Sequence, residues 1–99
     1  MDYRLEIMPR ALLDSENIRN WRAGHSEDWA DRWYRNLIET IETLRNFPRR
    51  CPVVQAGGLQ GAEVRELTFG KGRMVHRILF EIEGEIIRVV AVIHSARGL

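Results

Sequence analysis

The sequence predicts an α+β domain in which a two-helix hairpin packs on one face of a mostly antiparallel four-stranded sheet, in the order β-α-α-β-β-β. Three observations predict it. Through the first half of the chain apolar residues recur at three- and four-residue spacing, the period of helices. Through the second half they fall in short alternating runs broken by glycine-containing turns, the period of strands. One short alternating stretch precedes both helices. At 99 residues the chain has the size of one domain, so residues 1–99 are read as a single unit.

Tyr3-Arg4-Leu5-Glu6-Ile7 alternates apolar and charged side chains and predicts the first strand. Pro9 follows, suited to a first helical turn where no backbone N–H is needed. Ala11, Ser15, Ile18 and Trp21 mark the buried stripe of a short helix, and Gly24 is its stop. Ser26 is the predicted N-cap of a second helix, with Glu27, Asp28 and Asp31 placed to favour its positive end. Trp33, Leu37, Ile41 and Leu44 carry the second stripe, which Pro48 ends. Helical spacing assigns the three tryptophans to packing rather than to base stacking. From Phe47 to Ala62, with Pro48, Pro52, Gly57, Gly58 and Gly61, the chain reads as a connecting loop. Val64–Phe69, Arg73–Ile82 and Glu85–His94 read as the last three strands, joined by turns at Gly70-Lys71-Gly72 and Glu83-Gly84.

Hydrophobic residues make up 44% and charged residues 29%, which excludes a disordered chain. The longest apolar run, Val89-Val90-Ala91-Val92-Ile93, is five residues, whereas a membrane-spanning helix needs about 20. The N-terminus lacks the apolar stretch of a secretory signal. Cys51 is the one cysteine, so neither a disulfide within the chain nor a cysteine metal cluster is expected. A cytoplasmic protein without cofactor, metal or membrane contact is the resulting expectation. Of fifteen basic residues fourteen are arginine, the side chain that grips phosphate or carboxylate in a bidentate fork. Residues 48–99 carry eight basic residues against five acids, net +3, and the first 47 are net −2. The basic half suits an acidic partner.

Strand parity sharpens this. Ile87, Val89, Ala91 and Ile93 form one apolar face of the last strand; Met74, His76, Ile78, Phe80 and Ile82 form one of the strand before it. A turn at Glu83-Gly84 sets Phe80 against Ile87, Ile78 against Val89, and Arg73 against His94. Arg73, Arg77, Arg88 and His94 then share the face away from the helices, a predicted contact surface for a target or an inhibitor. His76 falls in the core phase and reads as a packing residue. His94 is the candidate proton carrier on the open face.

Four segments, in order along nearly the whole chain, carry a resemblance. Phe47-Pro48-Arg49-Arg50-Cys51-Pro52, Val64-Arg65-Glu66-Leu67, His76-Arg77-Ile78-Leu79-Phe80 and Val92-Ile93-His94-Ser95-Ala96-Arg97 resemble the RelE/ParE toxins of type II toxin–antitoxin modules, also described as plasmid stabilisation proteins. The resemblance implies a small antiparallel sheet with two helices on one side, and a cognate antitoxin as partner in a toxin–antitoxin hetero-oligomer. It also implies one of two targets. RelE-like toxins cleave mRNA on the ribosome, and on that reading Arg65, Arg77, His94 and Arg97 are the catalytic candidates. ParE-like toxins block DNA gyrase and need no active site. The paired lysines of the nuclease branch are missing from Val64–Leu67, and no tyrosine follows Arg97. Those departures, with the Phe-Pro-x-x-Cys-Pro and His-x-x-Arg segments, favour the ParE-like branch. An inactive relative that only binds an antitoxin is the third alternative.

Overall fold

In the computed structural model, which describes residues 3–57 and 61–94, the predicted first strand forms as β1 (Arg4–Ile7) and leads directly into helix α1 (Pro9–Ala23). Pro9 stands at the start of α1, where its missing N–H breaks no ladder. Ala11 and Ser15 are buried as expected, and the Ser15 hydroxyl donates to the Ala11 carbonyl at 2.8 Å. Trp21 is not on the buried stripe. It is 61% exposed, and Arg22 is buried in its place. Eleven residues make about three helical turns, so Arg22 stands over Ala11, whereas Trp21 lies about 80° away.

Gly24 caps α1, and Ser26 caps α2 (Glu27–Glu42) by accepting a hydrogen bond from the Trp29 N–H at 3.2 Å. Glu27 and Asp28 in the first turn complement the positive helix end. Trp33, Leu37 and Ile41 are buried along α2, and a 3₁₀ turn (Thr43–Arg45) continues the stripe to buried Leu44. A second 3₁₀ turn, Pro48–Arg50, follows. No helix among the described residues is long and apolar enough to cross a membrane.

The sheet has five strands rather than four. The segment expected to be all loop contains β2 (Val53–Gln55), which pairs antiparallel with β3 (Val64–Phe69). Three residues between Pro52 and Gly57 are too few to show an alternation, so the strand left no periodic signal. The sheet order is β1-β5-β4-β3-β2, with β4 (His76–Glu83) and β5 (Ile86–His94) in the middle. Among the described residues β1 and β5 pair in parallel and the other neighbours antiparallel. Arg73 belongs to a 3₁₀ turn (Gly72–Met74) ahead of β4, not to the strand. Gly70, at φ +103, makes the approach to that turn: a Cβ there would collide with the Met74 carbonyl.

The β4–β5 register differs from the expected one in two ways. Glu83 pairs with Ile86, so the turn is Gly84–Glu85, one residue later, with Gly84 at φ +59. A bulge then follows: Phe80 pairs with Val89, but Leu79 pairs with Ala91. The extra residue, Val90, reverses the phase of everything after it. Ile87 and Val89 face the helices as predicted, whereas Ala91 and Ile93 turn to the outer side and Val92 and His94 to the helix side. The main core lies between helices and sheet, with Leu37, Ile41, Leu44, Ile78, Phe80 and Ile87 at or near zero exposure. A smaller cluster of Val64, Leu79 and Ala91 covers part of the outer face.

Candidate functional site

The outer face carries Arg77 and Arg88, as parity predicted, but it is not a basic surface. Arg77 Nε donates to Glu66 Oε1, both side chains being largely covered. Arg88 lies between Glu6 at 3.5 Å and Glu83 at 3.1 Å, and Arg4 reaches Glu6 at 3.4 Å. Glu81 is buried across from Arg88. Each of the two expected arginines therefore meets a carboxylate from a neighbouring strand. The other two members of the predicted surface are elsewhere. Arg73 sits in the turn before β4, and the residue opposite His94 is His76. The bulge puts His94 on the helix side.

Arg65, at the start of β3, also points to the helix side, because it pairs with Phe80. Its Nη1 donates to the carbonyl of Cys51 at 2.7 Å and to that of Arg49 at 3.2 Å, and its Nη2 is 3.7 Å from Glu63. The side chain thus ties the loop after α2 to the sheet. Cys51 beneath it is buried, and that burial raises its thiol pKa despite the opposing pull of Arg50 and Arg65. A buried thiol of raised pKa is a poor nucleophile, in line with the absence of an activating His or Asp in its segment.

The helix-side end of β4 and β5 gathers a different set. His76 is 1% exposed, and its Nδ1 is 3.2 Å from the Met74 carbonyl. A carbonyl can only accept, so the neutral ring carries its proton on Nδ1. The His94 ring stands edge-on to it at 5.0 Å and Trp33 at 5.4 Å. Burial, then the neighbouring His94 and Arg22, lower the His76 pKa to about 4, against a weaker opposing effect of the Met74 carbonyl. Arg22 lies between the rings of Trp29 and Trp33, 4.9 Å from each centroid. Its Nε and the Trp33 Nε1 have no hydrogen-bond partner among the described residues, and burial lowers the guanidinium pKa. Stacking on two aromatic faces favours the cation there.

Beside this cluster an open groove of about 790 Å³ runs between α1 and β5, lined among others by Asp14, Ile18, Trp21, His76, Val92 and His94. Asp14 is already engaged, accepting from the Val92 N–H at 3.0 Å and standing 3.7 Å from Arg10. Among the described residues no three His, Cys, Asp or Glu side chains converge as a metal site requires.

The three nuclease candidates among the described residues are not brought together. Arg77 and His94 are on opposite faces. Arg65 shares the helix side with His94, but their partners in β4, Phe80 and His76, are four residues apart, about 13 Å of strand. Arg97 lies outside the described residues. Arg22 was not anticipated. The available signal was its spacing, eleven residues after Ala11, seven before Trp29 and eleven before Trp33.

A family-wide sequence model described as the ParE toxin of the type II toxin-antitoxin system, parDE, matches residues 5–99. The chain belongs to the ParE toxin family. Among solved structures it is similar to a chain of the chromosomal ParDE TA system from P. aeruginosa, with a TM-score of 0.73 at 16% identity, covering 93% of this chain and 95% of that one. At that identity the likeness carries the fold: two helices on one side of a small mixed sheet. No curated protein matches the sequence significantly. Membership of the ParE family makes the chain the toxin of a type II module and implies a cognate antitoxin.

Proposed function

We propose that this ParE-family toxin inhibits DNA gyrase by protein contact, without chemistry of its own, and that its antitoxin docks in the groove between α1 and β5. The observation that carries the first half is the dispersal of the three nuclease candidates among the described residues. Attack of an RNA 2′-hydroxyl on its own phosphate needs cations converging on one phosphate and a proton carrier beside it. Here Arg77 is neutralised by Glu66 on one face, Arg65 is engaged with loop carbonyls on the other, and His94 packs on His76. The second half rests on the groove itself, with Trp21 mostly exposed on its rim and Ile18 and Val92 on its wall. Such a surface suits an amphipathic segment that folds as it binds. Toxin and antitoxin would then form a cytoplasmic hetero-oligomer, released when the antitoxin is lost.

The test runs purified toxin through gyrase supercoiling and cleavage-complex assays, in parallel with cleavage of translated mRNA on ribosomes. Gyrase inhibition that added antitoxin reverses, with mRNA left intact, is the expected result. A His94→Gln variant should inhibit gyrase as the parent does. Cleavage of mRNA by the parent but not by His94→Gln defeats the reading, and inactivity in both assays assigns the chain to the inactive, antitoxin-binding alternative.

A further inference from the structure

Phe47 is 84% exposed and stands at φ +49, ψ +60, the left-handed region that bulky residues seldom enter. It also precedes Pro48, which disfavours helical backbone in its predecessor. Something must hold it there, and two arginines do. Arg50 Nη1 donates to the carbonyls of Phe47 at 3.1 Å, of Thr43 at 3.5 Å and of Asn46, while its Nη2 donates to the Thr43 hydroxyl at 3.2 Å. From the other flank Arg65 holds the carbonyls of Arg49 and Cys51. Pro48 and Cys51 are buried as roots. The tip from Asn46 to Cys51 is therefore clamped at both ends while its apex shows an aromatic ring to solvent. Strain that its surroundings over-determine in this way points to a use.

The charge around the ring indicates what it meets. From Thr43 to Ala62 the chain has no acidic residue and three arginines. Arg45 is engaged by Glu42 and the Tyr3 carbonyl, and Arg50 by the tip itself. Arg49 is exposed, and its guanidinium makes no ion pair among the described residues. We propose that Phe47 and Arg49 are a rigid anchor for the protein this toxin poisons, the ring filling an apolar pocket and the guanidinium meeting a carboxylate at its edge. Aromatic and arginine side chains are the commonest anchors of protein interfaces, and a preformed tip loses little freedom on docking. One uncommitted guanidinium is too few for a nucleic acid, whose binding neutralises several phosphates. The tip follows the C-terminal end of α2, whereas the groove runs along α1 and β5, so target and antitoxin use separate surfaces.

This anchor rests on the reading that the target is reached by protein contact. Phe47→Gly is the deciding variant, because glycine adopts φ +49 without strain. Its melting temperature should equal or exceed that of the parent, and its affinity for the antitoxin should stay within twofold. Its inhibition of purified gyrase should weaken by at least about 30-fold, the scale of an interface hot spot. Phe47→Tyr should retain inhibition, and Arg49→Glu should lose about tenfold. If the parent toxin leaves gyrase unaffected, the gyrase assignment fails and the anchor is read from growth arrest in cells. Loss of arrest in Phe47→Gly with antitoxin binding intact then upholds the anchor for another target. Growth arrest as strong as the parent's overturns it, and so does single-stranded RNA binding that Phe47→Gly abolishes.

Discussion

On the outer face of the sheet Arg77 sits against Glu66 and Arg88 between Glu6 and Glu83; on the helix side Arg22 lies between two tryptophans, with no carboxylate paired to it among the described residues, and His76 lies nearby. The first arrangement meets each cation with a carboxylate, and such a pair is worth less the more water reaches it. The second removes water and offers rings in its place, so the protonation of His76 is tied to folding. The same β4 strand supplies both sides, and its side chains alternate between them. The difference shows that residue type alone does not fix the role of a cation or an imidazole; what matters is whether the opposite strand supplies an acid or the helices supply a roof.

The largest expected effect tests which side stabilises the fold. Phe80 and Leu79 are neighbours that face opposite ways, Phe80 into the main core and Leu79 into the cluster with Val64 and Ala91. Phe80→Ala should cost about 3–5 kcal/mol, and Leu79→Ala about 2, near the low end for a large-to-alanine change, since its cluster is thin. Chemical denaturation at neutral pH measures both. A Leu79→Ala penalty equal to that of Phe80→Ala breaks the comparison.

Next in size is the pH dependence from His76. In the folded chain its pKa is about 4, against 6.5 ordinarily. Between those values the unfolded chain binds a proton that the folded one refuses, so stability rises with pH through this window. The contribution is complete above pH 6.5 and lost as pH falls to 4, roughly 3 kcal/mol in all at about 1.4 kcal/mol per unit. Carboxylates titrate nearby, so the measurement is the difference between the parent and His76→Gln from pH 7 to 4.5. Parallel curves for the two proteins would show that His76 gives up its buried, neutral state at no cost.

How far these roles were legible depends on the periodicity available at each place. Trp33, Leu37, Ile41 and Leu44 repeat over three turns with polar neighbours between them, and all four are buried. Ser26 announces its cap because the chemistry is local. The run from Val89 to Ile93 is apolar at every position, so it carries no phase in which a bulge would show. That single extra residue, Val90, moved His94, one of the four predicted contact residues, from the expected outer face to the groove. Arg73 was misplaced because a 3₁₀ turn of three residues leaves no alternation to read. Arg22 was missed for another reason: arginine is ordinarily a surface residue, and the two rings it stacks on lie seven and eleven residues further along the chain.

The pair Arg77–Glu66 comes third. Both side chains are mostly covered, so removing one partner leaves the other poorly solvated. Arg77→Met or Glu66→Leu alone should cost about 1–2 kcal/mol, and the double variant Arg77→Met/Glu66→Leu less than the two added together. A double-mutant cycle by denaturation reads the coupling directly. Strictly additive penalties would mean that the two groups contribute nothing to each other, and the outer face would then lose its claim to be held by paired charge.

The smallest effect belongs to Arg88, and it separates pairing from burial most sharply. Its guanidinium is shared between Glu6 on β1 and Glu83 at the end of β4, both of them partly solvated. Two partners in water do not double the value of one, because each contact is screened and the long side chain loses freedom in holding both. Arg88→Met keeps an aliphatic stem on the sheet and gives up only the charge. The expected penalty is below about 1 kcal/mol, and it should shrink further between 0.05 and 1 M salt, roughly where the Debye length falls to a few ångströms. The pH dependence assigned to His76 should persist in the same salt series, since its largest cause is burial rather than a screened pair. If Arg88→Met instead costs several kcal/mol that salt leaves untouched, the outer network behaves as a buried one, and the contrast between the two faces of β4 disappears.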